Sequence, residues 1–189
     1  MSSFLLYRNY HDSGGSGQAN LNNNQANLCV QNIKLNWLYN GSEFPDVEMI
    51  NAIDSDNFRI GIKGGYSIVI VIGKSGCQSC QIRELRNLAS LYDEMKREVS
   101  FYAVYYNDKH VDDKADRLEA LQLRKLGYVK FPVLYTNDYT FGNYMANSHV
   151  PMIFILKDML VVSSYMPTPE SDALSRVFMK ILRRKLGQS

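Results

Sequence analysis

Two periods of hydrophobic residues alternate along the chain. From Ile68 to Ile72 the β-branched side chains run without interruption, as in a strand covered on both faces. After Cys80 the period lengthens. Ile82, Leu85, Leu88, Ala89, Tyr92 and Met95 recur at steps of three and four, with Arg83, Glu84, Arg86, Asn87, Asp93 and Glu94 between them. This predicts an amphipathic helix with those polar residues facing water. Val99 to Tyr106 reads as a second strand, Asn107 to Asp113 as a polar loop, and Lys114 to Leu126 as a helix whose apolar face holds Leu118 and Leu121. Gly127 is placed to cap that helix.

Shorter segments complete the layout. Phe131-Pro132-Val133-Leu134-Tyr135 is extended, since a residue before proline avoids the helical region. Residues 139–147 form one short helix. Met152 to Leu156 is a continuous apolar strand, Lys157-Asp158 turns, and Leu160 to Tyr165 returns as its antiparallel partner. Leu174, Val177, Phe178, Ile181, Leu182 and Leu186 trace one face of a last helix ended by Gly187, with Arg183-Arg184-Lys185 in its final turn. Cations there suit the helix dipole. Upstream, Val47 to Ile53 and Phe58 to Ile62 flank Asp54-Ser55-Asp56-Asn57 and read as a hairpin. Odd positions from Cys29 to Trp37 suggest a further strand, and Asn40-Gly41 marks a turn.

Composition narrows the classes. The chain has 189 residues, 46% hydrophobic and 21% charged, with a net charge of +2. That suits one globular domain with a sizeable core plus a tail, and predicts no nucleic-acid partner. Residues 1–27, rich in Asn, Gly, Ser and Gln from residue 8, hold too few apolar side chains to offset the entropy of ordering and read as a flexible linker. Phe4-Leu5-Leu6-Tyr7 is too short for a signal peptide. It reads either as the remnant of a membrane anchor or as an apolar patch in the linker. Residues 28–189 form the domain.

The candidate chemistry lies where strand becomes helix, at Lys74-Ser75-Gly76-Cys77-Gln78-Ser79-Cys80. A thiol at a helix N-terminus meets unpaired N–H groups and the positive dipole end, both of which stabilise thiolate. A spacing of two residues puts both sulfurs in the first turn, close enough to bridge. Other readings of the motif lack partners. Structural zinc needs about four ligands, and the remaining candidates, Cys29, His11, His110 and His149, are scattered. A P-loop at Gly73-Lys74-Ser75 fails because Ile68 stands where the first glycine belongs. Cys29 is read as a small buried thiol or a third redox partner.

The order of elements resembles the thioredoxin fold: hairpin, strand, CxxC helix, strand, helix, proline-led strand, strand, helix. Residues 44–187 resemble the TlpA- and ResA-like thiol–disulfide oxidoreductases within the redoxin (AhpC/TSA) group. The likeness rests on Phe44-Pro45-Asp46, Cys77-Gln78-Ser79-Cys80, Phe131-Pro132-Val133-Leu134 and Val150-Pro151. It implies an α/β three-layer sandwich, a central mixed β-sheet flanked by helices, with an N-terminal β-hairpin extension. It also implies a cis-proline at Pro151, with Pro132 the competing position, and an extracytoplasmic location in a bacterial envelope. Departures are Gly76, where an aromatic residue is usual, Met152 for a common Thr, and the absence of an Asp-x-x-Gly turn in the last hairpin. No acid occupies Ile68 to Ile72, where some thioredoxin-like proteins keep one.

The resemblance implies a thiol–disulfide oxidoreductase with no cofactor beyond its own redox-active disulfide. Cys77 is the expected nucleophile, Cys80 the resolving thiol, Val150 and Pro151 the substrate-binding backbone, and Lys74 a candidate for lowering the Cys77 pKa. Partners would be protein thiols or disulfides and an upstream electron donor or acceptor, with membrane association through a missing N-terminal anchor. Two alternatives are a copper(I) module using Cys77, Cys80 and His149, and a peroxiredoxin-like peroxidase. The second lacks the Thr or Ser three residues before its cysteine, since Ser75 is only two before Cys77.

Overall fold

The computed structural model describes residues 38–60, 65–107, 113–146, 148–167 and 172–186. The linker, the strand expected at 29–37, Cys29, and Gly187 lie outside them. Seven strands form one mixed sheet: β1 (Met49–Asn51), β2 (Asn57–Phe58), β3 (Tyr66–Gly73), β4 (Val99–Tyr106), β5 (Val133–Thr136), β6 (Met152–Lys157) and β7 (Leu160–Tyr165). The helices are α1 (Gln78–Met95), α2 (Asp113–Leu126), α3 (Tyr139–Met145) and α4 (Asp172–Leu186). The spatial order is β2-β1-β5-β4-β3-β6-β7.

The β-branched run lies in β3 at the interior of the sheet, parallel to β4 and antiparallel to β6. Its side chains divide between the two faces, as alternation requires. Ile68, Ile70 and Ile72 join the core under α1, α2 and α4, with Leu85, Leu88, Leu123, Phe178 and Leu182. Val69 and Val71 join the opposite core, with Phe141 and Met145 of α3 and Tyr39, Phe44 and Met49 of the N-terminal segment. Each fully buried aliphatic side chain contributes about 1.5–3 kcal/mol, so β3 anchors both layers. The sheet is thus covered by helices on one face and by α3 and the N-terminal segment on the other.

Several expectations need correction. The hairpin forms, but its strands have only three and two residues. Asn51 and Asp54 side chains accept from the N–H groups of Ile53 and Asp56 and turn the chain early, leaving Ile53 exposed. Leu118 and Val177 are exposed rather than core; Ala120 and Leu123, with half-buried Leu121, carry the packing of α2 instead. Gly127 is not the left-handed residue after α2, because Tyr128 takes that role with φ +55°. Gly127 is required for space: a Cβ there would lie 2.6 Å from Leu85 Cβ. The β6–β7 turn uses two non-glycine residues at positive φ, Asp158 and Met159, in place of the missing Asp-x-x-Gly.

The largest correction is Glu84, expected on the wet face of α1 but fully buried. It stands in phase with Gln81, Leu85 and Leu88 on the stripe facing the sheet and α4. Ser175 Oγ donates to its carboxylate at 2.8 Å, Arg83 Nε at 2.7 Å and Asn87 Nδ2 at 3.2 Å. Ser175 also bonds Tyr165 Oη. A buried carboxylate is tolerated only with such partners, and these tie α1 to α4 and β7.

Candidate functional site

β3 ends at Gly73, and the chain must turn sharply into α1. Gln81 holds that turn: Gly73 N–H donates to Gln81 Oε1 at 3.0 Å, and Gln81 Nε2 donates to Gly73 O at 2.8 Å. Both bonds are buried, so Lys74-Ser75-Gly76 leaves the strand on a fixed path. The sequence reading gave Gln81 no role. The signal that could have found it is its phase, four residues after Cys77 and four before Leu85, a polar residue inside an apolar stripe.

Cys77 is the N-cap of α1. Its Sγ accepts from Cys80 N–H at 3.3 Å and lies 3.2 Å from Ser79 Oγ. Its carbonyl accepts from Gln81 N–H at 3.0 Å, closing the first turn. Cys77 and Cys80 are joined as a disulfide, with Cα atoms 5.3 Å apart. Their surroundings differ: Cys77 is half-buried, whereas Cys80 is 2% exposed.

The loop before β6 meets this turn. The Val150–Pro151 peptide is cis, and Pro132 is not among the cis peptides. A Cβ on Gly76 would lie 2.6 Å from Val150 O and 2.8 Å from Val150 Cγ2, so Val150 packs directly on the residue before Cys77. Neither the N–H nor the C=O of Val150 has a hydrogen-bond partner among the described residues. The structure therefore gathers Cys77, Cys80 and Val150-Pro151 at the C-terminal end of β3.

Lys74 and His149 are placed differently. The Lys74 ammonium sits 3.7 Å from Glu119 Oε1 on α2, in an exposed pair of the kind that contributes little. Glu119 also accepts from Tyr105 Oη; burial and that carboxylate push the Tyr105 pKa up. These groups edge a polar cleft of about 270 Å³ that includes Gly76 and Gln78. His149 is exposed. Among the described residues no three His, Cys, Asp or Glu side chains come together as metal ligands, so His149 does not join the cysteines as the copper alternative requires. Among them, too, no helix is long and apolar enough to cross a membrane.

No protein-family model matches the chain, and no curated protein matches it. Solved structures do. An uncharacterized thioredoxin-like protein from Porphyromonas gingivalis is 20% identical with a TM-score of 0.56, over 77% of this chain and 93% of that one. The thioredoxin domain of a thiol-disulfide oxidoreductase from Bacteroides vulgatus is 16% identical with a TM-score of 0.57, over 75% and 96%. A putative thiol:disulfide interchange protein DsbE from Chlorobium tepidum is 13% identical with a TM-score of 0.57, over 75% and 95%. The fold that they share with this chain is thioredoxin-like.

Proposed function

We propose that this thioredoxin-like chain is a thiol–disulfide oxidoreductase acting on protein thiols or disulfides. The observation that carries the reading is the asymmetric Cys77–Cys80 pair, one sulfur accessible at the tip of α1 and the other enclosed, beside the unpaired backbone of Val150. In the reducing direction, the Cys77 thiolate attacks one sulfur of a substrate disulfide. A mixed disulfide forms and the other substrate sulfur leaves as thiolate. Cys80 then attacks Cys77 Sγ, its proton passes to the departing substrate sulfur, and the Cys77–Cys80 bond forms as the substrate leaves with both sulfurs reduced, one as thiol and one as thiolate that takes a proton from water. Oxidation is the reverse. An extended substrate segment would pair with the N–H and C=O of Val150, as a strand added at a free edge.

The chemistry needs no cofactor, since the electrons reside in the sulfur pair, but turnover needs an upstream thiol donor or disulfide acceptor. An extracytoplasmic setting is part of the proposal, in keeping with a secreted disulfide oxidoreductase from Mycobacterium tuberculosis among the similar structures. The test is equilibration of the purified protein in glutathione and dithiothreitol buffers of graded potential, followed by mass spectrometry. A reversible two-electron transition lost in Cys77→Ser and Cys80→Ser is expected. A pair that stays in one state across the range ends the proposal.

A further inference from the structure

On the side of the cysteine turn opposite the polar cleft lies a cavity of about 340 Å³ between the β3–α1 loop, the loop before β6, and α3. Ser75 and Val150 line it on the side of the cysteine turn, next in the chain to Gly76 and Pro151 respectively. Tyr106, Tyr139, Gly142 and Met145 form its walls. Resting on the oxidoreductase reading and extending it, we infer that this cavity is a specificity subsite. It takes one bulky uncharged side chain, aromatic or long aliphatic, from the extended polypeptide whose cysteine reacts with Cys77.

Four observations carry the inference. The cavity begins at Val150, whose N–H and C=O have no partner among the described residues, so a segment paired there has a side chain at the mouth. Its volume is at the small end of ligand pockets, about 300–1,000 Å³, which suits one large side chain and excludes a helix or folded domain. None of its lining residues is charged. A lysine or aspartate entering it would lose water without gaining a counter-charge, whereas aromatic and thioether walls favour an aromatic or aliphatic guest. Finally, the Tyr106 ring can lie against α3 in the cavity wall because residue 142 is glycine: a Cβ there would collide with the Tyr106 hydroxyl.

The test uses the full-length reduced protein in single turnovers with synthetic extended peptides. Each carries one cysteine as its mixed disulfide with 5-thio-2-nitrobenzoate. Attack by Cys77 joins it to the peptide sulfur and releases the coloured thiolate. Cys80 then displaces the peptide thiol. Phe, Leu, Ala, Lys or Asp is placed in turn on either side of the peptide cysteine. Phe or Leu on one side should react about 10-fold faster than Ala, and Lys and Asp no faster than Ala. Tyr139→Ala, which removes a wall, and Ala146→Trp, which fills the cavity from its exposed rim, should erase that preference. Both should leave unchanged the rate with the mixed disulfide of 2-mercaptoethanol, which has no side chain to place. Equal rates for Phe and Ala on both sides, fastest reaction with a charged peptide, or a preference that survives both variants would overturn the inference. If wild-type protein fails to react even with the small mixed disulfide, the oxidoreductase reading falls, and this inference with it.

Discussion

A Cβ placed on Gly76 would lie 2.6 Å from the carbonyl oxygen of Val150. The aromatic residue that the resemblance leads one to expect before the first cysteine has no room here, because the loop before Pro151 rests on that position. Gly76→Ala must displace the loop. Such overpacking typically costs about 1–3 kcal/mol, and it shifts the backbone that borders Cys77. A lower melting temperature together with slower disulfide exchange is expected. Unchanged melting and exchange would show that the loop yields freely.

The two thiols should be chemically distinct. Cys77 is accessible and receives hydrogen bonds at its sulfur, while Cys80 is 2% exposed. In the reduced protein Cys77 should alkylate first, followed by peptide mapping after brief iodoacetamide treatment. Cys80→Ser should accumulate mixed disulfides on Cys77. Faster labelling of Cys80 would reverse the assigned roles.

Gln81 should matter to the site more than a surface glutamine would. Gln81→Leu removes the buried side-chain acceptor of Gly73 N–H, a loss of about 1–3 kcal/mol for an unsatisfied group, and leaves Gly73 O with the longer bond from Gly76 N–H at 3.2 Å. Loss of stability in chemical denaturation should come with faster amide exchange at Gly73 to Gly76. If amide exchange in that loop is unchanged, Gln81 does not hold the turn.

Glu84→Ala removes the common acceptor of Ser175, Arg83 and Asn87. Ser175 is fully buried, and its hydroxyl would lose the carboxylate to which it donates. A destabilisation of about 1–3 kcal/mol is expected, with α4 loosening first in hydrogen exchange. Ser175→Ala in the same background should add little, since the two lose the same interaction.

Stability should fall in strong alkali through buried tyrosines. Burial is the main cause that raises Tyr144 and Tyr165, each to about 12, against about 10 for tyrosine in the unfolded chain. With the folded value raised, the unfolded state gives up its proton first. The stabilisation is therefore complete below about pH 10 and is lost as pH rises towards about 12. Phenolate absorbance should develop together with the loss of circular dichroism. Full tyrosine ionisation of a still-folded protein would contradict this.

The strand–turn–CxxC–helix unit, the order of the main strands and helices, and the adjacency of two thiols were legible in the chain, because each depends on residues within a few positions of one another. A period of two or 3.6, a β-branched run or a cysteine at a helix start acts over one or two turns. The short hairpin, the exposure of Leu118 and Val177 and the burial of Gln81 and Glu84 were not. These depend on which face of an element another element covers. Glu84 reads as a wet residue until α4 brings Ser175 to it from 91 residues away in sequence. Val150 becomes part of the site only because β6 lies beside β3 and returns its leading loop to Gly76. Local pattern thus set the elements and the reactive pair, whereas long-range packing chose which polar groups are buried and what stands beside Cys77, since burial is a property of the neighbour as much as of the residue.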